Sequence, residues 1–242
     1  MPEVPDASIP STSPVALGEA PSSPVRKRLL LELAVVAAVG IAPALAGALL
    51  ASQRQHPVLG TPVDSLGLIV QSVEVIAVVL FVMAHAPDRW SAFGIVRLRS
   101  SDWAWGFALL AAGFGGDQMI EHVFWHLGWW PARHAELAHG LSGAGWVLLV
   151  LAVVGTSFAE ELVMRGYLIP RLESLRFSSL SAVLISSALF GAYHIYQGYV
   201  AALAVTVTGL LAGALFVHTR RLWPVVIGHL LLDLVAFALR IH

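Results

Sequence analysis

The run Thr156-Ser157-Phe158-Ala159-Glu160-Glu161-Leu162-Val163-Met164-Arg165 closes a long apolar stretch with two carboxylates and a guanidinium. Ionisable groups at membrane depth are costly, so they ask for a function and for partners. On a helix Glu161 and Arg165 are four apart and share a face, where they can form an ion pair. Glu160 lies about 100° round the helix from Glu161 and is left free. That asymmetry suggests one carboxylate for structure and one for chemistry. The competing reading is a helix end that reaches water, with both carboxylates merely solvated.

Two further pairs follow. Phe190-Gly-Ala-Tyr-His194 sets a ring and an imidazole four apart, and His229-Leu-Leu-Leu-Asp233 does the same for an imidazole and a carboxylate. A lone His on an apolar helix is most often hydrogen-bonded packing. Two His and three carboxylates would each carry a desolvation cost, which one shared polar cavity would reduce. Such a cavity has the parts for hydrolysis by activated water. A carboxylate can act as general base, and two imidazoles can ligate a divalent metal, orient the water or stabilise the oxyanion. No His-Glu-x-x-His occurs, so any metal would have to be assembled across helices.

The elements that must position these groups are membrane helices. Of 242 residues 57% are hydrophobic and only 12% charged, with a mean hydropathy of +0.78. A soluble domain carries roughly 25% charged residues, so the fold class is an all-α, polytopic transmembrane helix bundle. A net charge of −1 argues against nucleic-acid partners, and the lack of Cys removes disulfides, thiolate zinc sites and a cysteine nucleophile. Residues 1–25, with six Pro and five Ser, read as a disordered tail. An N-terminal group of membrane helices then spans 26–140, and a catalytic core 141–242. Arg26-Lys27-Arg28 followed by an apolar run and Ala44-Leu45-Ala46 also sketches a signal peptide. Glu32 and the continuing hydrophobicity favour an uncleaved first span instead.

About seven spans can be placed: Leu29 to Ala51, Ser65 to Ala86, from Trp103, from Gly145 past Glu161, Leu180 to Ile195, Tyr199 to Val217, and Leu222 to Leu239. With a cytoplasmic N-terminus, ten basic residues fall in inside segments and three in outside ones, a strong positive-inside asymmetry. Asp117, Glu121, His122 and His126 on the third span, beside Trp125, Trp129 and Trp130, suit a helix emerging through an interfacial belt. Gln71 and Glu74 are expected to pair with neighbouring helices. Gly209 and Gly213 mark close helix packing.

Glu160-Glu161-xxx-Arg165, Phe190-xxx-His194 and His229-xxx-Asp233 resemble, in order and spacing, the motifs of the CAAX-protease and bacteriocin-processing (Abi) family over roughly residues 142–240. The resemblance implies an intramembrane endopeptidase of glutamate or metallo type, related to the type II CAAX prenyl endopeptidases. It makes Glu160 the water-activating base, with His194 and His229 aligning that water or binding metal. Glu161 with Arg165 would brace the site, and Phe190 would shape its wall against substrate. One departure stands out: the family most often has Asn where this chain has Asp233. Asn can donate to an oxyanion, whereas ionised Asp only accepts, so Asp233 would instead orient His229 or ligate metal. Zinc is the candidate cofactor, with His194, His229 and Glu160 as candidate ligands. The expected partners are membrane lipid and a peptide or protein substrate, lipidated in the CAAX case. The expected setting is multi-pass, in a prokaryotic cell membrane.

If Glu160 sits near the cytoplasmic end of its span and the fifth span starts at Ser179, His194 would lie roughly 22 Å along it, near the opposite surface. The motif residues could not then meet. The expected resolution is that Gly166 to about Ala182 dips or lies along the interface. Two other function classes remain open from the residues alone. Intramembrane Glu, Asp and His also suit a proton- or cation-coupled transporter, and a silent scaffold could keep the fold.

Overall fold

The computed structural model describes residues 22–53, 58–59, 61–129, 136–137 and 141–240. Most of the expected tail lies outside these residues. Among the described residues seven helices follow one another: α1 Ser23–Ser52, α2 Pro62–Ala84, α3 Ser100–His126, α4 Gly143–Ser174, α5 Ser179–Ala192, α6 Tyr199–Thr219 and α7 Trp223–Arg240. The all-α membrane bundle is the observed architecture. Its one extended feature among the described residues is a two-residue parallel pairing, Val58 opposite Glu136 and Leu59 opposite Leu137.

Local sequence sets the helix starts. The hydroxyls of Thr61, Ser142 and Ser178 accept hydrogen bonds from the N–H groups of Asp64, Gly145 and Ser181 at 3.1, 3.2 and 3.1 Å. Pro62 follows the first of these caps, where its missing N–H leaves nothing unpaired. Two prolines lie deeper. Pro43 cannot donate to the Val39 carbonyl, nor Pro170 to that of Gly166. The helix widens to π geometry just ahead of each, over Ala37–Ile41 and Leu162–Leu168, and continues instead of ending.

Four helices, α1, α2, α4 and α6, are long and apolar enough to cross a bilayer, and α5 and α7 are apolar but shorter. Leu30, Leu49, Leu66, Val73, Phe81, Val150 and Leu184 lie exposed on the outer faces. An apolar exterior of this kind is solvated by lipid, so the protein is an integral membrane protein.

The basic segments gather at one end. Arg171 pairs with Glu32 at 3.0 Å and Asp88 at 2.7 Å, Arg220 with Glu173 at 2.6 Å, and Arg221 with Asp102 at 2.6 Å. These pairs tie the starts of α1, α3 and α7 to the ends of α2, α4 and α6, the arrangement that up-down threading requires. Arg220 takes the left-handed conformation that ends α6 (φ 52°).

Glycines let the helices that carry the motifs approach. A Cβ on Gly106 of α3 would lie 2.6 Å from Ile227 of α7, and one on Gly228 would lie 2.7 Å from Leu109 of α3. Gly213 of α6 presses likewise on Val183 of α5, at 2.8 Å.

Two expectations are corrected. The segment after Gly166 neither dips nor lies along the interface. Helix α4 runs on to Ser174, with Leu162 through Leu172 all buried, and α5 begins after a short turn. The 32 residues of α4 span roughly 48 Å, so Glu160 sits near mid-helix, about 21 Å from its C-terminal end. His194, roughly 22 Å up the antiparallel α5, therefore arrives at a similar depth. Gln71 and Glu74 are also exposed on the outer face of α2 instead of packing inside the bundle. On α3, Gln118, His122 and His126 are exposed, and Asp117 and Glu121 are half-buried.

Candidate active site

The two adjacent glutamates occupy different surroundings. Glu161 is 1% exposed and turns into the bundle, where Arg165 Nη1 donates to its Oε1 at 2.8 Å. Arg165 is fully buried, donates from Nη2 to the Gly209 carbonyl at 3.1 Å, and lies 4.4 Å over the Phe190 ring. Gly209 has no side chain to block this approach: a Cβ there would sit 3.3 Å from Arg165 Nη2. The expected ion pair is thus present, and it bridges α4 to α6 and α5.

His229 of α7 joins the same carboxylate. Its Nδ1 donates to Glu161 Oε1 at 2.9 Å, which fixes the ring and turns Nε2 outward. Nε2 lies 3.7 Å from Glu160 Oε2 and 3.5 Å from Asp233 Oδ2. Both gaps exceed a good hydrogen bond. The side chains of Glu160 and Asp233 are 28% and 34% exposed, so this edge of the imidazole is open while the Glu161 edge is sealed. Asp233 Oδ2 also lies 2.8 Å from Ser157 Oγ, one turn before Glu161 on α4. Sequence reading missed Ser157 as a partner, since nothing in the chain signals a contact across 76 positions.

His194 stands just past the end of α5. Its Nδ1 donates to the Phe190 carbonyl at 2.7 Å, leaving Nε2 as the acceptor in the neutral ring. Phe190 touches both imidazoles, 4.9 Å from the His194 ring and 5.5 Å from the His229 ring, centroid to centroid. The wall expected of Phe190 is the partition on which both histidines rest.

A tetrahedral divalent metal needs three or more ligands near 2.0–2.3 Å. Among the described residues no three His, Asp or Glu side chains converge in that way, so the candidate set His194, His229 and Glu160 does not fit a metal as it stands.

Carboxylates and imidazoles drawn from three helices into one partly open centre, inside an apolar bundle, define an integral membrane protein with an intramembrane ionisable site. Comparison narrows the class. Residues 142–235, which hold all three motifs, match the family model described as type II CAAX prenyl endopeptidase Rce1-like. Over these residues the chain is similar to that family of CAAX endopeptidases. No curated protein and no solved structure shows significant similarity to the chain.

Proposed function

We propose that the protein is an intramembrane endopeptidase that hydrolyses a peptide bond of a membrane-associated substrate, using water activated by Glu160. The observation that carries this reading is the split pair: Glu161 is locked to Arg165 and His229, while Glu160 faces the open edge of the same imidazole. A braced imidazole beside a free carboxylate is the arrangement a general base needs. The attacking water is held on the open side of Glu160 Oε2 and His229 Nε2. As its oxygen bonds to the substrate carbonyl carbon, Glu160 takes its proton. When the C–N bond breaks, Glu160 returns that proton to the leaving amine, giving a carboxylic acid and an amine. Asp233, with Ser157 at 2.8 Å, holds the His229 edge.

The apolar exterior and the mid-helix position of Glu160 favour a lipidated or membrane-inserted peptide, because a free hydrophilic peptide would gain little there. A prenylated CAAX peptide is the substrate class that the family match supports. The test is incubation of the protein, reconstituted in liposomes, with a farnesylated CAAX peptide and its unlipidated twin, with products read by mass spectrometry. Cleavage of the farnesylated peptide is expected. Cleavage of neither, with the reconstituted protein folded, would overturn the reading.

A further inference from the structure

Helices α1 and α2 precede the residues that match the family model, and a cleft lies between them. Leu31 and Val35 of α1 form one wall and Val78 and Phe81 of α2 the other, with Arg28 and His85 at the mouth. Its volume is about 530 Å³, within the roughly 300–1,000 Å³ of small-molecule sites. From Arg28 to Val35 it runs roughly 10 Å inward from the arginine-rich end of the bundle. Leu31 and Phe81 are largely exposed, so the cleft opens along the apolar exterior and not toward the active site.

The mouth is cationic. Arg28 Nε donates to Glu32 Oε1 at 2.8 Å and Nη2 donates to the His85 carbonyl at 2.7 Å, which holds the guanidinium across the gap between the helices. The side chain is still 44% exposed, and Nη1 donates to nothing among the described residues. Glu32 and Asp88 are the acids of this corner, and Arg171 pairs with both, at 3.0 and 2.7 Å. Arg26 and Lys27 precede Arg28, Arg89 follows His85 by four residues, and all three are exposed. Five cations thus face two carboxylates that are already paired.

An anion with an apolar tail suits this arrangement. A guanidinium meets a phosphate through charge-assisted hydrogen bonds, and basic residues beside a membrane helix draw anionic headgroups. A zwitterionic headgroup would bring a further cation to a corner that has an excess of them. The cleft is also distinct from the candidate active site. Arg171, which holds Glu32, comes eleven residues after Glu160 on α4, roughly 16 Å along the helix. A lipidated peptide with its polar part at this mouth would lie short of Glu160.

We propose that the cleft between α1 and α2 binds one anionic phospholipid, its phosphate on Arg28 and one acyl chain between the walls of Leu31, Val35, Val78 and Phe81.

The test titrates delipidated protein in mild detergent with phosphatidylglycerol or phosphatidylcholine and reads the bound lipid by native mass spectrometry. Wild type should take up its first phosphatidylglycerol at least about fivefold more tightly than phosphatidylcholine. Arg28→Gln should lose that preference. Because this change also breaks the pair with Glu32, a second variant keeps every charge. Ala77 lines the cleft on α2, and Ala77→Trp should fill it and abolish the first site. Leu184→Trp, on the exposed face of α5, should bind as wild type does. Equal uptake of the two lipids by wild type would overturn the proposal, as would undiminished phosphatidylglycerol binding in Ala77→Trp. Displacement of the lipid by an equal concentration of inorganic phosphate would reduce the site to an ion site and overturn it. Displacement by the farnesylated peptide would make the cleft a substrate seat and overturn it too.

Discussion

His229 hangs from Glu161 by a 2.9 Å hydrogen bond to Oε1, the same oxygen that receives Arg165 at 2.8 Å. One carboxylate oxygen thus couples α7 to α4 and, through Arg165 on Gly209, to α6. The second glutamate of the motif is the anchor of the site, and the orientation of the imidazole depends on it.

That coupling predicts a stability signature. Arg165→Leu leaves Glu161 as an unpaired buried charge and should cost about 3–5 kcal/mol. Adding Glu161→Gln should recover part of the loss, because the pair is then removed as a unit. Activity should stay lost in the double variant, since His229 no longer has a carboxylate at Nδ1. Denaturation in mild detergent, read beside cleavage, separates the two effects.

The second prediction concerns pH and the arginine-rich end of the bundle. Asp102 lies in the first turn of α3, before the apolar run that begins at Trp103. The hydrogen bonds from Arg221, with further help from the Arg99 backbone N–H, hold its carboxyl below the ordinary Asp range, although burial opposes them. A carboxyl lowered in the folded state adds stability that is fully present above its unfolded value, about 4. That stability is lost as pH falls through the lower, folded value. Asp102→Asn should reduce stability at pH 7 and flatten the acid limb of the melting-temperature profile. An acid limb unchanged in the variant would remove Asp102 from the account.

Packing of α5 on α6 supplies a third test. A Cβ at position 213 would lie 2.8 Å from Val183 Cγ1, so Gly213→Ala should destabilise by about 1–3 kcal/mol through overpacking. Val183→Ala in the same chain makes room and should restore most of the loss. A double variant no better than the single one would show that the glycine matters for another reason.

Much of this arrangement was legible in the chain. Glu161 and Arg165 are four apart on one helix, so their pairing follows from helix geometry alone. The membrane class followed from composition, and the common end of the bundle from where the arginines fall. What was not legible depends on contacts between distant positions. Ser157 with Asp233, Arg165 with Gly209, and Asp102 with Arg221 are separated by 76, 44 and 119 residues. The course of α4 was misread for a local reason. Glu160 was placed near the end of its span, whereas the π stretch over Leu162–Leu168 carries the helix past Pro170 to Ser174 and leaves Glu160 near mid-helix.

Metal dependence gives a fourth prediction. Because no three ligands converge among the described residues, cleavage should survive prolonged chelation nearly unchanged. Loss of activity on chelation, restored by one divalent ion and abolished with its binding in His194→Ala and His229→Ala, would require the site to close around a metal.

The most direct test of the central claim compares Glu160→Gln with wild type. The variant keeps the shape of the side chain but removes the base, and Glu160 makes no contact with His229 closer than 3.7 Å on which folding would rest. Cleavage of the farnesylated peptide should fall by at least about 10²–10⁴-fold, with an unchanged melting temperature. A Glu160→Gln protein that still cleaves at the wild-type rate would contradict the account, because the water would then be activated elsewhere.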